Sequence, residues 1–226
     1  MGEFNLLDDY PQPNSPRVVA PNLRTIQHRI IASRRDKNFF DGDRNTGYGG
    51  YRYDGRWVPV AKKIISHYKI PQNGSILHVS CEKGFLLHDM RGSAQSLNVF
   101  GTETSDYAIE NAMDDIRNHV QKAPPTDLPF ADRKFDFVIG LGVVYIHTLA
   151  DAIKVLQEIQ RVGKGKAFIT LATYETEEEY FLFRDWTLLG ALIFRKSEWE
   201  DVMKLAGYTG DYYFTGAKSL KLIRNN

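Results

Sequence analysis

The segment SILHVSCEKGF, Ser75 to Phe85, constrains the fold of this chain more than any other, because it reads as strand, tight turn and helix within eleven residues. Ile76, Leu77 and Val79 form an apolar strand, and a helix begins near Gly84. A nucleotide-binding α/β fold opens its ligand site in this way. Turns of that kind normally rest on glycines, which let the backbone bend sharply and approach a ligand. Here Ser80 and Glu82 stand where glycines are expected, and Gly84 remains.

From Ser75 onward strand and helix patterns alternate, which predicts an α/β fold with a mostly parallel sheet and helices on both faces. Strands are expected over Ser75–Ser80, Asn98–Glu103, His119–Lys122, Phe135–Gly142 and Lys166–Thr173. Ser105 is a candidate N-cap for a helix through Asn118. Ala152, Val155, Leu156 and Ile159 recur at helical spacing in a segment from about Ala150 to Arg161. Ser197 and Glu200 have capping-box spacing, and Gly207 is a natural stop for the helix they open. The stretches YTGDYYF and SLKLIR read as a closing pair of strands, and the last strands are expected to run antiparallel. Before this core, residues 1–21 read as an extended or mobile arm and residues 22–70 as a helical and aromatic cap. Residues 71–226 form the main domain. In the cap, Arg24, His28, Arg29, Arg34, Arg35 and Lys37 read as a solvated helix face. Trp57 to Tyr68 reads as a helix with Val60, Ile64 and Ile65 inward.

With 29 Lys+Arg against 28 Asp+Glu the net charge is +1, so overall charge makes no case for nucleic acid or a membrane surface. Cys81 is the single cysteine, which excludes an internal disulfide and fits a reducing compartment. No apolar run spans a bilayer, and the start MGEFNLLDDY lacks the regions of a signal peptide. The expectation is a cytoplasmic protein. The six histidines are scattered, so no metal site is expected.

Four segments together carry a family resemblance: SILHVSCEKGFLL, VFGTETSDYAIENA, DLPFADRKFDFVIGLGVVYIH and LQEIQRVGKGKAFIT. In order and spacing they resemble the class I S-adenosylmethionine-dependent methyltransferases, over roughly Ile64 to Ile223. The resemblance implies a Rossmann-like methyltransferase fold and S-adenosylmethionine as cofactor. It places His78, Ser80, Glu82, Gly84, Glu103 and Leu128 beside that cofactor. Glu103, at the end of the second strand, occupies the position of the acid that takes both ribose hydroxyls, and a carboxylate has two oxygens suited to it. The chain departs from the family pattern at three of these positions. His78 replaces an acid, and Ser80 and Glu82 replace glycines. A β-carbon there competes for space, and Glu82 adds a carboxylate where the cofactor brings its own.

Tyr145 and His147 follow the fourth strand, at the carboxyl edge where open α/β sheets hold ligands, and are the candidate catalytic residues. A histidine there can take a proton from a hydroxyl nucleophile. Tyr48, Tyr51, Tyr53, Arg56 and Trp57, with Tyr174, are the candidate substrate residues. Their rings offer flat apolar faces with polar tips, and arginine can grip a phosphate or carboxylate with two bonds. The segment GYGGYRYDGRW also resembles the N-terminal lid of some methyltransferases of sugar and surface-polysaccharide pathways. The expected function is methyl transfer to an oxygen or nitrogen of a small-molecule acceptor, a sugar or sugar nucleotide. The alternative is an inactive methyltransferase-fold protein that serves a protein partner, or its own second copy, as a binding subunit. His78, Ser80 and Glu82 point to the alternative; Glu103 and the aromatic lid point to the enzyme.

Overall fold

The structure, a computed structural model, describes residues 2–20, 23–47 and 52–224. A short strand β1 (Arg17–Val19) precedes helices α1 (Ile26–Ser33), α2 (Lys37–Phe40) and α3 (Val58–His67). The core follows as β2 (Ser75–Val79), α4 (Phe85–Ser93), β3 (Asn98–Glu103), α5 (Asp106–Glu110), β4 (Val120–Lys122) and β5 (Phe137–Gly140). It continues with α6 (Leu149–Val162), β6 (Ala167–Ala172), α7 (Glu177–Trp186), α8 (Lys196–Ala206), β7 (Asp211–Thr215) and β8 (Leu222–Arg224).

Six strands form one sheet in the order β4-β3-β2-β5-β6-β7, and every pairing in it is parallel. The strand of the opening segment is therefore central. Alternate residues of each strand face opposite layers. Ile76, Phe137 and Ile139 pack with Val60, Ile64, Leu87 and Met90 of α3 and α4. Leu77, Val79 and Val138 pack with Val155, Leu156 and Ile159 of α6 and with Trp199 and Met203 of α8. Both faces are covered, as a parallel sheet requires.

The expected antiparallel ending is not found. Helix α8 carries the chain back along the sheet, Gly207 ends it at φ 67°, and β7 enters parallel to β6 with Phe168 opposite Asp211. The far edge of β7 is taken by the N-terminal residues: the Phe4 amide donates to the Tyr212 carbonyl at 2.8 Å, and the Tyr212 amide to that of Gly2 at 3.1 Å. With that edge filled, SLKLIR cannot pair with β7. Its residues form β8, which pairs in parallel with β1 in a separate two-stranded sheet, Val18 opposite Ile223. The N-terminal residues are thus tied down, with Leu6 fully buried and Phe4 stacked on His67 at 4.2 Å.

Two helix boundaries also differ from expectation. Ser105 caps α5, accepting from the Ala108 amide at 3.1 Å, but the helix ends at Glu110 rather than Asn118. The Met113 amide donates instead to the Lys83 carbonyl at 3.0 Å, which diverts the chain and brings Ile116 against Gly84. At α8 the reciprocal cap is formed by Glu198, which accepts from the Arg195 amide at 2.7 Å, because the helix begins before Ser197.

Candidate cofactor and substrate site

The turn after β2 keeps a glycine backbone without the glycines. Ser80, Glu82 and Gly84 have φ of 56°, 54° and 75°, all left-handed. For a residue with a β-carbon that conformation costs about 1–2 kcal/mol. Only Gly84 is sterically obligatory, since a β-carbon there would stand 2.7 Å from Ile116 Cγ2. Between them Cys81 is buried over Gly101 of β3, where an added β-carbon would meet its sulfur at 2.5 Å. Burial, and then the charges of Glu103 and Glu82, push its thiol well above the usual range, so it fills space rather than acting as a nucleophile.

Glu103 is the hub of the site. Its side chain is fully buried. Oε1 accepts from the Thr104 and Ser105 amides at 2.7 and 3.0 Å and from the Thr104 hydroxyl at 3.3 Å. Oε2 accepts from the Glu82 amide at 3.0 Å and from Nη2 of Arg35, also at 3.0 Å. The strained loop is thereby tied to the strand end, and a guanidinium from the cap lies on the remaining oxygen. Arg35 sits between α1 and α2 with φ 48°, its carbonyl accepts from the Ser105 hydroxyl, and its guanidinium lies 5.5 Å from the ring centroids of Phe39 and Phe40. A second clamp lies beside it. Asp41 accepts from the buried Lys83 at 2.6 and 2.7 Å and from the Tyr107 hydroxyl at 2.7 Å. Burial raises the Asp41 pKa, but these bonds outweigh it and hold the carboxyl below the usual range.

Beside these contacts is a cavity of about 250 Å3, lined among others by Arg35, Phe39, Ser80, Glu82, Tyr145 and Trp186. Glu82 is part of that lining, and its pKa is pushed up to about 7. Burial is the main cause; Arg35 pulls the value down and Glu103 pushes it further up. Tyr145 forms part of the wall, and its carbonyl accepts from the Ala191 and Leu192 amides, both at 2.9 Å. His147 lies two residues further, half-buried, with no hydrogen bond to Nε2 among the described residues. Burial lowers its pKa, so the ring is neutral at neutral pH.

His147 is outside that lining, and the other sequence candidates also lie apart from the cavity. His78 is buried in the centre of the sheet with neither ring nitrogen hydrogen-bonded among the described residues, and burial drives its pKa down to about 4. It acts as an uncharged filler. The Leu128 amide donates to Glu158 at 2.7 Å, and its carbonyl accepts from Arg161 at 2.9 Å, so both backbone groups are committed to α6. Tyr48 and Tyr51 lie outside the described residues. Tyr53 packs on α4 against Phe85 and His88 and donates to Asp89 at 2.6 Å. That bond, with burial, pushes its pKa up to about 12. Arg56 is held by Asp54 and borders a second cleft, while Trp57 packs on Tyr10 at 4.4 Å. Tyr174 packs on Tyr180 at 5.1 Å, under the Arg195 guanidinium at 5.8 Å. The residues that sequence reasoning missed are Arg35, Phe39 and Lys83. The one available signal was RRDKNFF, in which two adjacent phenylalanines cannot belong to a solvated face.

Among the described residues no group of three or more His, Cys, Asp or Glu is placed to hold a metal. No described helix is long and apolar enough to cross a membrane. Residues 77–171 match the family described as a methyltransferase domain. Among solved structures, the chain resembles one from the complex between the Haloferax volcanii Trm112 methyltransferase activator and a candidate methyltransferase. The identity there is 17% and the TM-score 0.52, over 70% of this chain and 77% of the other. The YcgJ protein of Bacillus subtilis is 16% identical with a TM-score of 0.51, over 65% of this chain and 66% of its own. A candidate methyltransferase of Bacillus halodurans is 17% identical with a TM-score of 0.50, over 65% and 68%. None of the curated proteins compared matches the chain.

Proposed function

We propose that the chain, whose residues 77–171 match a methyltransferase domain, is an S-adenosylmethionine-dependent methyltransferase whose cap must open before the cofactor enters. The acceptor in this reading is an oxygen or nitrogen of a small polar molecule, a sugar or sugar nucleotide. The observation that carries it is the loop after β2. It holds left-handed backbone at three successive glycine positions and ties the Glu82 amide to Glu103, so the scaffold of a cofactor cleft persists where its side chains differ.

In the closed arrangement the residues do not fit the cofactor. Both oxygens of Glu103 are satisfied, Arg35 covers one of the two that a ribose would use, and Glu82 lines the cavity. Like charge in so small a space repels a second carboxylate. When bound, the cofactor supplies an activated methyl group, and the protein's part is to align it with a nucleophile.

The Arg35–Glu103 pair also favours a second reading, a binding subunit that has lost its cofactor. The Haloferax volcanii relative comes from a complex with a methyltransferase activator, and a protein partner or a second copy of this chain belongs to either reading. Calorimetric titration of native and Ser80→Gly/Glu82→Gly proteins with S-adenosylmethionine and S-adenosylhomocysteine separates the two. We expect weak binding by the native protein and a gain of about 1–3 kcal/mol in the double variant. Micromolar affinity in the native protein removes the need for opening, and no binding in either protein selects the binding subunit.

A further inference from the structure

A second cleft, of about 780 Å3, is bordered by Arg17, Arg24, Arg44 and Arg56, with Tyr10 on one side and Trp186 on another. Among the described residues Asp54 is the only acidic one on its border, and it is engaged with Arg56. In a chain whose net charge is +1, this is a strong local excess of positive charge. The arginines hold different commitments. Arg17 donates to the Leu220 carbonyl and Arg24 to those of Asn45 and Gly47, so both fix the walls of the cleft. Arg44 is exposed and makes no ion pair among the described residues. Burial, and then the like charge of Arg44, lower the Arg17 pKa, as happens where positive charge lacks a counter-ion. Trp186 also lines the cavity that holds Glu82 and Arg35, so the two spaces share a wall.

We propose that this arginine-lined cleft binds a small molecule carrying a phosphate or diphosphate group. Guanidinium groups match phosphate oxygens with paired hydrogen bonds, and the concave site with an aromatic wall suits a small ligand rather than an extended polymer. The inference names the acceptor class for the methyl-transfer reading above, but binding at the cleft needs no cofactor, so the two fail separately.

The test is calorimetry on the full chain, without S-adenosylmethionine, using inorganic pyrophosphate, uridine diphosphate glucose, glucose and sulfate. The two phosphorylated probes are expected to bind, less tightly as salt is added, and glucose is not. Arg44→Gln and Arg56→Gln are each expected to weaken binding at least fivefold, with unchanged circular dichroism. Tighter binding of the sugar nucleotide than of pyrophosphate assigns the ligand as a sugar nucleotide; equal binding assigns the diphosphate itself. Sulfate binding as tightly as pyrophosphate, affinities unchanged in both variants, or no binding of either phosphorylated probe would overturn the proposal. So would an oligoribonucleotide that binds more tightly than both, which would make the cleft part of a nucleic-acid surface. A protein that binds pyrophosphate but not S-adenosylmethionine leaves this inference standing while the methyl-transfer reading falls.

Discussion

Ser80 and Glu82 hold a backbone that glycine would adopt freely, and the strain persists because Glu103 accepts the Glu82 amide from beneath. Glu82 bears a further cost in its carboxylate. Its pKa in the fold is about 7 against an ordinary 4.5, so the folded state binds the proton more tightly than the unfolded one. The protonated form therefore stabilises the fold below about pH 4.5, and that contribution is lost as pH rises towards 7. Glu82→Gln cannot ionise. Urea unfolding should find it more stable than the native protein at pH 8 by about 1–3 kcal/mol, with the difference shrinking towards pH 5. A difference that does not change with pH would contradict the proton-holding carboxylate. At this scale the sequence showed which positions had changed. It could not show that the backbone had kept its glycine geometry, because φ at residue 82 is set by Glu103, which is distant in the chain.

At the scale of elements, apolar runs and periodicity located the central strands, and β3 runs from Asn98 to Glu103 as expected. The direction of the last strands was not legible. It depends on the return of α8 and on the N-terminal residues taking the edge of β7, and neither leaves a local pattern. Helix α6 shows how one residue anchors a neighbouring segment. Arg161 donates to Glu158 at 2.7 Å, to the carbonyls of Leu128 and Phe130 at 2.9 and 2.7 Å, and to Asp132 at 2.8 Å. It thereby pins the LPF stretch against the helix. Lysine has no planar fork and cannot satisfy these acceptors together. Arg161→Lys should cost about 2 kcal/mol in urea unfolding, the scale of a lost charge-assisted bond. A loss within error would mean that the LPF stretch is held by the packing of Leu128 alone.

Across the whole molecule, the cap and the core meet through Arg35 on Glu103 and Asp41 on Lys83 and Tyr107. Glu103 was identifiable from its register at a strand end; its partner was not. Arg35 lies in a basic run that resembles any solvated helix face, and an ion pair spanning 68 positions has no spacing to recognise. The central claim is that this guanidinium holds the place a ribose would take. The direct measurement is the affinity of Arg35→Ala for S-adenosylhomocysteine relative to the native protein, with circular dichroism confirming that the variant folds. Removing a charged partner frees a hydrogen-bond site worth about 1.5–3 kcal/mol, which corresponds to roughly tenfold or more in affinity. The account predicts tighter binding by the variant of at least that size. Equal or weaker binding by a folded variant would contradict it.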